Sequence, residues 1–196
     1  MRATKTRTHL RQNGSCDLDE IEIAPYDPAW SKLFEAEAAR LHAALPADLV
    51  LGIEHIGSTA VPGLAAKPVI DILIATPSIE EARGRAVEQM TALGYAFWAD
   101  NPKPDRLFFV RGLPPAPHRT HHVHFTELTG EQWRRTLPFR DHLRAHPEAA
   151  ARYAALKRAL ADAHRGEREA YTDAKGAFVR EILEQAGVRL RNPRPS

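Results

Sequence analysis

Residues 53–74 read IEHIGSTAVPGLAAKPVIDILI, and this stretch decides the fold. A β-like run ends in a Gly57-Ser58 turn, a Pro- and Gly-rich passage carrying Lys67 follows, and an apolar strand bearing Asp71 closes it. An aspartate inside Val69-Ile70-Asp71-Ile72-Leu73-Ile74 is costly to bury unless a partner or a metal ion compensates its charge. On a strand, Asp71 and Leu73 point to one face while Ile70 and Ile72 point to the other. A Gly-Ser turn at a strand end supplies backbone N–H groups and a hydroxyl, which suit a phosphate oxygen. Together they predict a phosphate or metal–phosphate site. Asp71 itself has two open readings: a ligand in that site, or a structural partner of Lys67 or of an arginine.

Working outward, strands are predicted over 50–56 and 69–75. Upstream, Ile21-Glu22-Ile23 alternates like a short strand, and Asp27 caps a helix with Pro28 at its first position. Trp30, Leu33, Phe34, Leu41 and Leu45 give that helix one apolar stripe, and Pro46 stops it. Downstream, Ser78 caps a helix over 79–92 that Gly94 ends. Strands are predicted over 95–98, 107–111 and 121–127, the last after a loop over 112–120. From Gly130 the pattern is helical; Trp133 and Leu137 begin it and Pro138 is expected to break or restart it. Two more stripes follow, one through Ala149, Tyr153, Leu156, Leu160 and Ala163, the other through Tyr171, Ala174, Phe178, Ile182, Leu183 and Ala186. The expectation is an α/β or α+β domain over 19–188, a mixed sheet flanked by helices, with a helical C-terminal part over about 130–187. Residues 1–18 read as a disordered leader and 189–196 as a flexible tail.

A chain of 196 residues with 43% hydrophobic and 27% charged residues is ordinary for one globular domain. A formal charge of +2 implies no nucleic-acid partner. Ten histidines make that charge sensitive to mildly acidic pH. Cys16 is the only cysteine, which excludes an intrachain disulfide and a cysteine-based zinc site. No apolar run approaches the ~20 residues needed to span a bilayer. The basic N-terminus lacks the apolar core of a secretion signal, so a cytoplasmic protein is expected.

Further candidates lie along His121-His122-Val123-His124. His122 and His124 fall on one strand face, where they hold a divalent metal if a carboxylate such as Asp71 or Glu54 faces them. The same imidazoles also suit hydrogen bonding to phosphate or main chain. Gly57, Ser58 and Thr59 offer close backbone approach and two hydroxyls, although the GxxxxGK[ST] spacing of a Walker loop is absent. Among the basic residues, Lys67, Arg111 and Arg119 are expected to reach the phosphate; Arg106 and Arg140 read as surface charges. Glu54 and His55 precede the turn, and by alternation one of them faces inward. Tyr171 and Lys175, one helical turn apart, are either a helix-surface pair or the far wall of the cleft.

Four segments carry a resemblance: EHIGSTAVPGLAAKPVIDILI (54–74), HHVH (121–124), FRDHLRAHPEAAARYAALK (139–157) and EAYTDAKGAFVREIL (169–183). They resemble the GrpB family over residues 21–186. The resemblance implies a nucleotidyltransferase fold, in which Gly57 and Ser58 match the turn that holds a triphosphate and Asp71 matches the first metal-binding aspartate. The second carboxylate falls at Leu73, and His122 or His124 stands where a third is expected. The implied cofactor is a divalent metal, Mg²⁺ or Mn²⁺, or Zn²⁺ where imidazoles ligate, held by Asp71, His122, His124 and Glu54. The implied activity is nucleotidyl transfer to a small-molecule acceptor from a nucleotide or phosphorylated small molecule, with Asp71 and Lys67 catalytic. A non-catalytic phosphate-binding or folding-assistance module is the alternative, since related domains are fused to dephospho-coenzyme A kinase. A metal-dependent hydrolase using the histidines is a third.

Overall fold

Asp27 caps the first helix through its side chain: Oδ1 accepts a hydrogen bond from the Ala29 N–H at 2.8 Å. Helix α1 (Ala29–Ala44) buries Trp30 and Leu41 and stops before Pro46. A computed structural model describes residues 23–116, 118–164 and 168–189. The leader, Cys16, most of the strand expected at 21–23 and the tail beyond 189 lie outside them. Strand β1 (Gly52–Ile56) leads through the Gly57 turn into a short 3-10 turn at Ser58–Ala60, and β2 (Ile70–Thr76) carries Asp71. The Ser78 Oγ accepts from the Glu81 N–H and opens α2 (Ile79–Ala92). Strands β3 (Ala96–Phe97), β4 (Arg106–Arg111) and β5 (His121–Glu127) follow, then α3 (Glu131–Ala145), α4 (Pro147–Ala163), α5 (Arg168–Ala174) and α6 (Gly176–Gln185).

The five strands form one mixed sheet in the order β1-β2-β5-β4-β3. Only the β2–β5 pair is parallel; the other pairs are antiparallel. This is the α/β architecture with a helical C-terminal third that the sequence predicts.

Register and alternation divide the sheet into two chemically different faces. Ile70, Ile72 and Ile74 share the back face with Val123, Phe125, Leu107 and Phe109, and these pack with Trp30 and Leu41 of α1 and Ala82, Ala86 and Met90 of α2. Burying such a layer supplies the main driving force of the fold, at roughly 25 cal/mol per Å² of apolar surface. The front face carries Glu54 and Ile56, Asp71 and Leu73, and His122 and His124, because Ile56 pairs with Asp71, Asp71 with His122 and Leu73 with His124. A second apolar cluster assembles Val61 and Leu64 with Leu143, Tyr153, Phe178 and Ile182 of the C-terminal helices.

Two helical expectations are corrected. Pro138 does not break the helix: α3 runs through it from Glu131 to Ala145. The chain restarts instead at Pro147, which opens α4 at a position where a missing N–H costs nothing. The carbonyl that Pro138 leaves without its i+4 donor belongs to Arg134, an exposed residue. The stripe from Tyr171 to Ala186 is split at Lys175, where α5 ends and α6 begins with Gly176.

Candidate functional site

Gly57 links the turn to the strand beside it. Its φ of +71° is one that glycine adopts without strain, and a Cβ placed on it would stand 2.4 Å from Asp71 Oδ2. The Asp71 carboxylate therefore lies against the turn backbone, with 30% of its side chain exposed. Its Oδ1 is 2.9 Å from His122 Nδ1. A carboxylate only accepts, so Nδ1 carries a proton, and Nε2 is the nitrogen that is basic when the ring holds no second proton. His122 Nε2 is buried and has no hydrogen-bond partner among the described residues. Burial pushes the Asp71 carboxyl up, but the His122 hydrogen bond and the nearby charges of His122 and Lys175 outweigh it. The net direction is below the ordinary carboxylate value, and Asp71 is ionised at neutral pH.

The other expected site residues are placed differently. Ser58 is half-buried beside Gly57. Thr59, by contrast, donates to the Val69 carbonyl at 3.3 Å and accepts from His55 Nε2 at 3.0 Å, so its hydroxyl is a structural link and not a free phosphate ligand. His124 stacks on Phe108, with ring centroids 4.6 Å apart, and burial pushes it down to about 3. Glu54 pairs with Arg140 Nη1 at 2.6 Å and does not face Asp71 as a co-ligand. Arg140, expected at the surface, is buried and also donates to the His55 carbonyl, tying α3 to β1.

Arg111 is the clearest correction. Val110 pairs with His122, so Arg111 falls on the back face. There its Nη1 bonds Glu37 Oε2 at 2.8 Å, while Glu37 Oε1 accepts from Arg40 and from Tyr95 Oη, each at 2.9 Å. Glu37 is only 6% exposed, and this cluster compensates a buried charge. Arg119 is half-buried in the loop before β5, which folds back so closely that a Cβ on Gly112 would meet the His118 carbonyl. Lys67 is half-buried after the Ala24–Ala66 bridge.

The donor set does not fit a divalent ion held by the protein alone. Among the described residues no three His, Cys, Asp or Glu side chains come together in a way that could hold a metal ion. Position 73, where a second carboxylate would bridge two ions, is a fully buried leucine.

Two further lysines are Lys175, already weighed with Tyr171 in the sequence, and Lys157, which was not expected. Lys175 sits with Nζ 4.1 Å from the Tyr171 ring centroid, and its charge is felt at Asp71. Lys157 is 2% exposed and donates from Nζ to the Ala65 carbonyl. The signal for Lys157 was present in the sequence: it stands four residues after Tyr153 on the buried side of an apolar stripe, where a lysine is out of place. Geometrically, the front face combines an oriented imidazole, an ionised carboxylate, a glycine-opened turn and cationic groups. These are the group types from which anion binding and proton transfer are built.

Among the described residues no helix is long and apolar enough to cross a membrane. A family model described as GrpB protein matches residues 20–185. The chain is 50% identical over 182 residues to the UPF0157 protein PA4798 of Pseudomonas aeruginosa, covering 91% of this chain and 73% of that protein. It is 33% identical over 190 residues to a dephospho-CoA kinase of Mycolicibacterium paratuberculosis, covering 85% of this chain and 46% of that protein. Among solved structures, the conserved protein GrpB from Enterococcus faecalis matches with a TM-score of 0.75 at 37% identity, over 84% of this chain and 96% of that one.

Proposed function

The chain belongs to the GrpB protein family, and from that premise we propose that it is a nucleotidyltransferase-like protein acting on a nucleotide or another phosphorylated small molecule at the front face of its sheet. The observation that carries this reading is the Asp71 carboxylate, packed under Gly57 and bonded to a His122 ring whose Nε2 has no partner among the described residues. In this reading the Gly57-Ser58 turn receives phosphate oxygens. Asp71 fixes the His122 tautomer, and Nε2 accepts the proton of an acceptor hydroxyl or amine as that group attacks the α-phosphorus in line. The new bond to phosphorus forms as the bond to the departing pyrophosphate breaks.

Release of pyrophosphate from each of the four ribonucleoside triphosphates, over a panel of small hydroxyl and amine acceptors, tests this reading. Asp71→Asn and His122→Gln are each expected to lower turnover by about 10²–10⁴-fold, the usual contribution of a positioned base. Turnover unchanged in both variants, or neither binding nor turnover in the natural chain, overturns it.

Leu73 favours a second reading, a binding module without transfer chemistry. A fully buried leucine replaces the carboxylate that a two-ion clamp needs. The dephospho-CoA kinase relative is matched over less than half of its own length, which supports this domain acting beside another. Nucleotide binding by calorimetry with no pyrophosphate release over the same panel selects the module.

A further inference from the structure

Trp98 directly follows β3 and is left 39% exposed. Its N–H donates to the Phe108 carbonyl at 2.9 Å, so it continues the pairing of β3 with β4 and stands beside Phe108, with ring centroids 5.5 Å apart. Phe108 pairs with His124 across β4 and β5, which puts it on the front face. Its ring is stacked on His124 at 4.6 Å and lies 5.3 Å from His122, at a steep angle to it. A line of rings thus runs from exposed Trp98 to His122, the imidazole that Asp71 orients. A single exposed tryptophan needs no explanation by itself. This one is joined ring to ring to the candidate site, and the line carries two buried nitrogens, His124 Nδ1 and His122 Nε2, with no hydrogen-bond partner among the described residues.

The strand order lays the parts out across one face: the Gly57 turn, then Asp71, His122, Phe108 and Trp98. From β5 to the line of β3 is two strand spacings, roughly 10 Å, which is about the length of a nucleotide from its base to its α-phosphate. Positive charge flanks this end, where Lys103 and Arg106 are both felt at His124, Arg106 being bonded to Asp105 at 3.2 Å. A protein partner needs about 800 Å² on each side, far more than one exposed ring and its half-buried neighbour offer. One flat ring, backed by a second, matches the π-face of a base.

We propose that Trp98, backed by Phe108, is the stacking face for the nucleobase of the ligand, whose phosphates run past His122 and Asp71 to the Gly57-Ser58 turn. This assignment rests on the Asp71 site taking a phosphate ester, and it narrows that ligand to one carrying an aromatic base. Stacking reads a π-face and not a hydrogen-bond pattern, so all four common bases bind, the larger purines more tightly.

Calorimetric titration with ATP and with inorganic tripolyphosphate tests it, on the natural chain and on Trp98→Ala, Trp98→Phe and Asp71→Asn. Trp98→Ala is expected to weaken ATP by about 5- to 150-fold, the usual worth of one stacked base, and to leave tripolyphosphate unchanged. Trp98→Phe keeps a ring and should keep most of the ATP affinity. ATP should also quench the tryptophan fluorescence of the natural chain, and that quenching should vanish in Trp98→Phe; this measurement carries the test if circular dichroism shows that Trp98→Ala fails to fold. ATP binding that is lost in Asp71→Asn and unchanged in Trp98→Ala overturns the stacking face and leaves the Asp71 reading standing. Equal losses of ATP and tripolyphosphate in Trp98→Ala also overturn it. ATP binding that depends on Trp98 and not on Asp71 upholds the stacking face and separates it from the Asp71 chemistry. No binding of ATP to the natural chain overturns both.

Discussion

Gly57 shows how closely the backbone and the candidate chemistry are joined. Its φ of +71° and ψ of −171° lie in a region that only glycine occupies without cost, and the space a Cβ needs is filled by the Asp71 carboxylate. Gly57→Ala is therefore expected to lose about 1–3 kcal/mol of stability from the backbone alone. It should lose more from pushing Asp71 off His122. In an Asp71→Ala background the added methyl meets less, so the two substitutions should couple, with the double variant more stable than the sum of the singles predicts. Denaturant melts of the four proteins check this, and strict additivity contradicts the contact. At this scale the sequence reveals a residue type out of place in its pattern, as with Asp71 in its apolar strand. It does not reveal which partner compensates it. Asp71 meets His122 because β2 and β5 pair in parallel at that register, a fact set by non-local packing. The same register turns Arg111 to the back face, against Glu37.

Among the elements, the periodic ones were legible and their interruptions were not. The bounds of α2 and β5 follow from Ser78, Gly94 and the alternation of 121–127, all local signals. Pro138 misleads because the rule against proline in helices weighs one lost hydrogen bond and one clash, while tertiary contacts weigh the whole helix. Arg140 binds Glu54 and the His55 carbonyl, Arg144 Nε bonds the Ala60 carbonyl at 2.9 Å, and Leu143 is buried in the second apolar cluster. These contacts all lie after Pro138 and hold that half of α3 against the sheet and the second apolar cluster. The proline is then a local liability without a structural task. Pro138→Ala is expected to stabilise the protein by about 1–3 kcal/mol, up to the difference in helix propensity between the two residues. Chemical denaturation measures it; a neutral or destabilising outcome would mean that α3 bends at Pro138 to make its contacts.

At the scale of the whole molecule, a polar front face is held against an apolar back face by one sheet, and burial on both sides sets the histidines' response to pH. His55 stacks on Phe34 with ring centroids 4.6 Å apart, and burial, aided by Arg144 and Arg140 against the opposing pull of Asp71, pushes it down to about 4. Burial pushes His124 down to about 3. In the unfolded chain both titrate near 6.5. Between that value and about 4 the unfolded chain binds protons that the folded chain refuses, so stability rises with pH across this window and falls as pH is lowered through it. Each histidine contributes a slope of up to about 1.4 kcal/mol per pH unit there. Asp71 acts lower: its depressed folded value means that its contribution is present above the unfolded carboxylate range and is lost only as pH falls below it. The histidine contribution is therefore complete above about pH 7, and the thermal midpoint should drop steadily from pH 6.5 toward 4.5. His55→Gln keeps a donor for Thr59 and removes one titrating ring, so it should reduce that slope while leaving the shape above pH 7 unchanged. Calorimetric scans of the natural chain and this variant at half-unit pH steps decide it. A midpoint that holds or rises on acidification would mean that both rings accept protons in place, and that the two packed faces open more readily than their contacts imply.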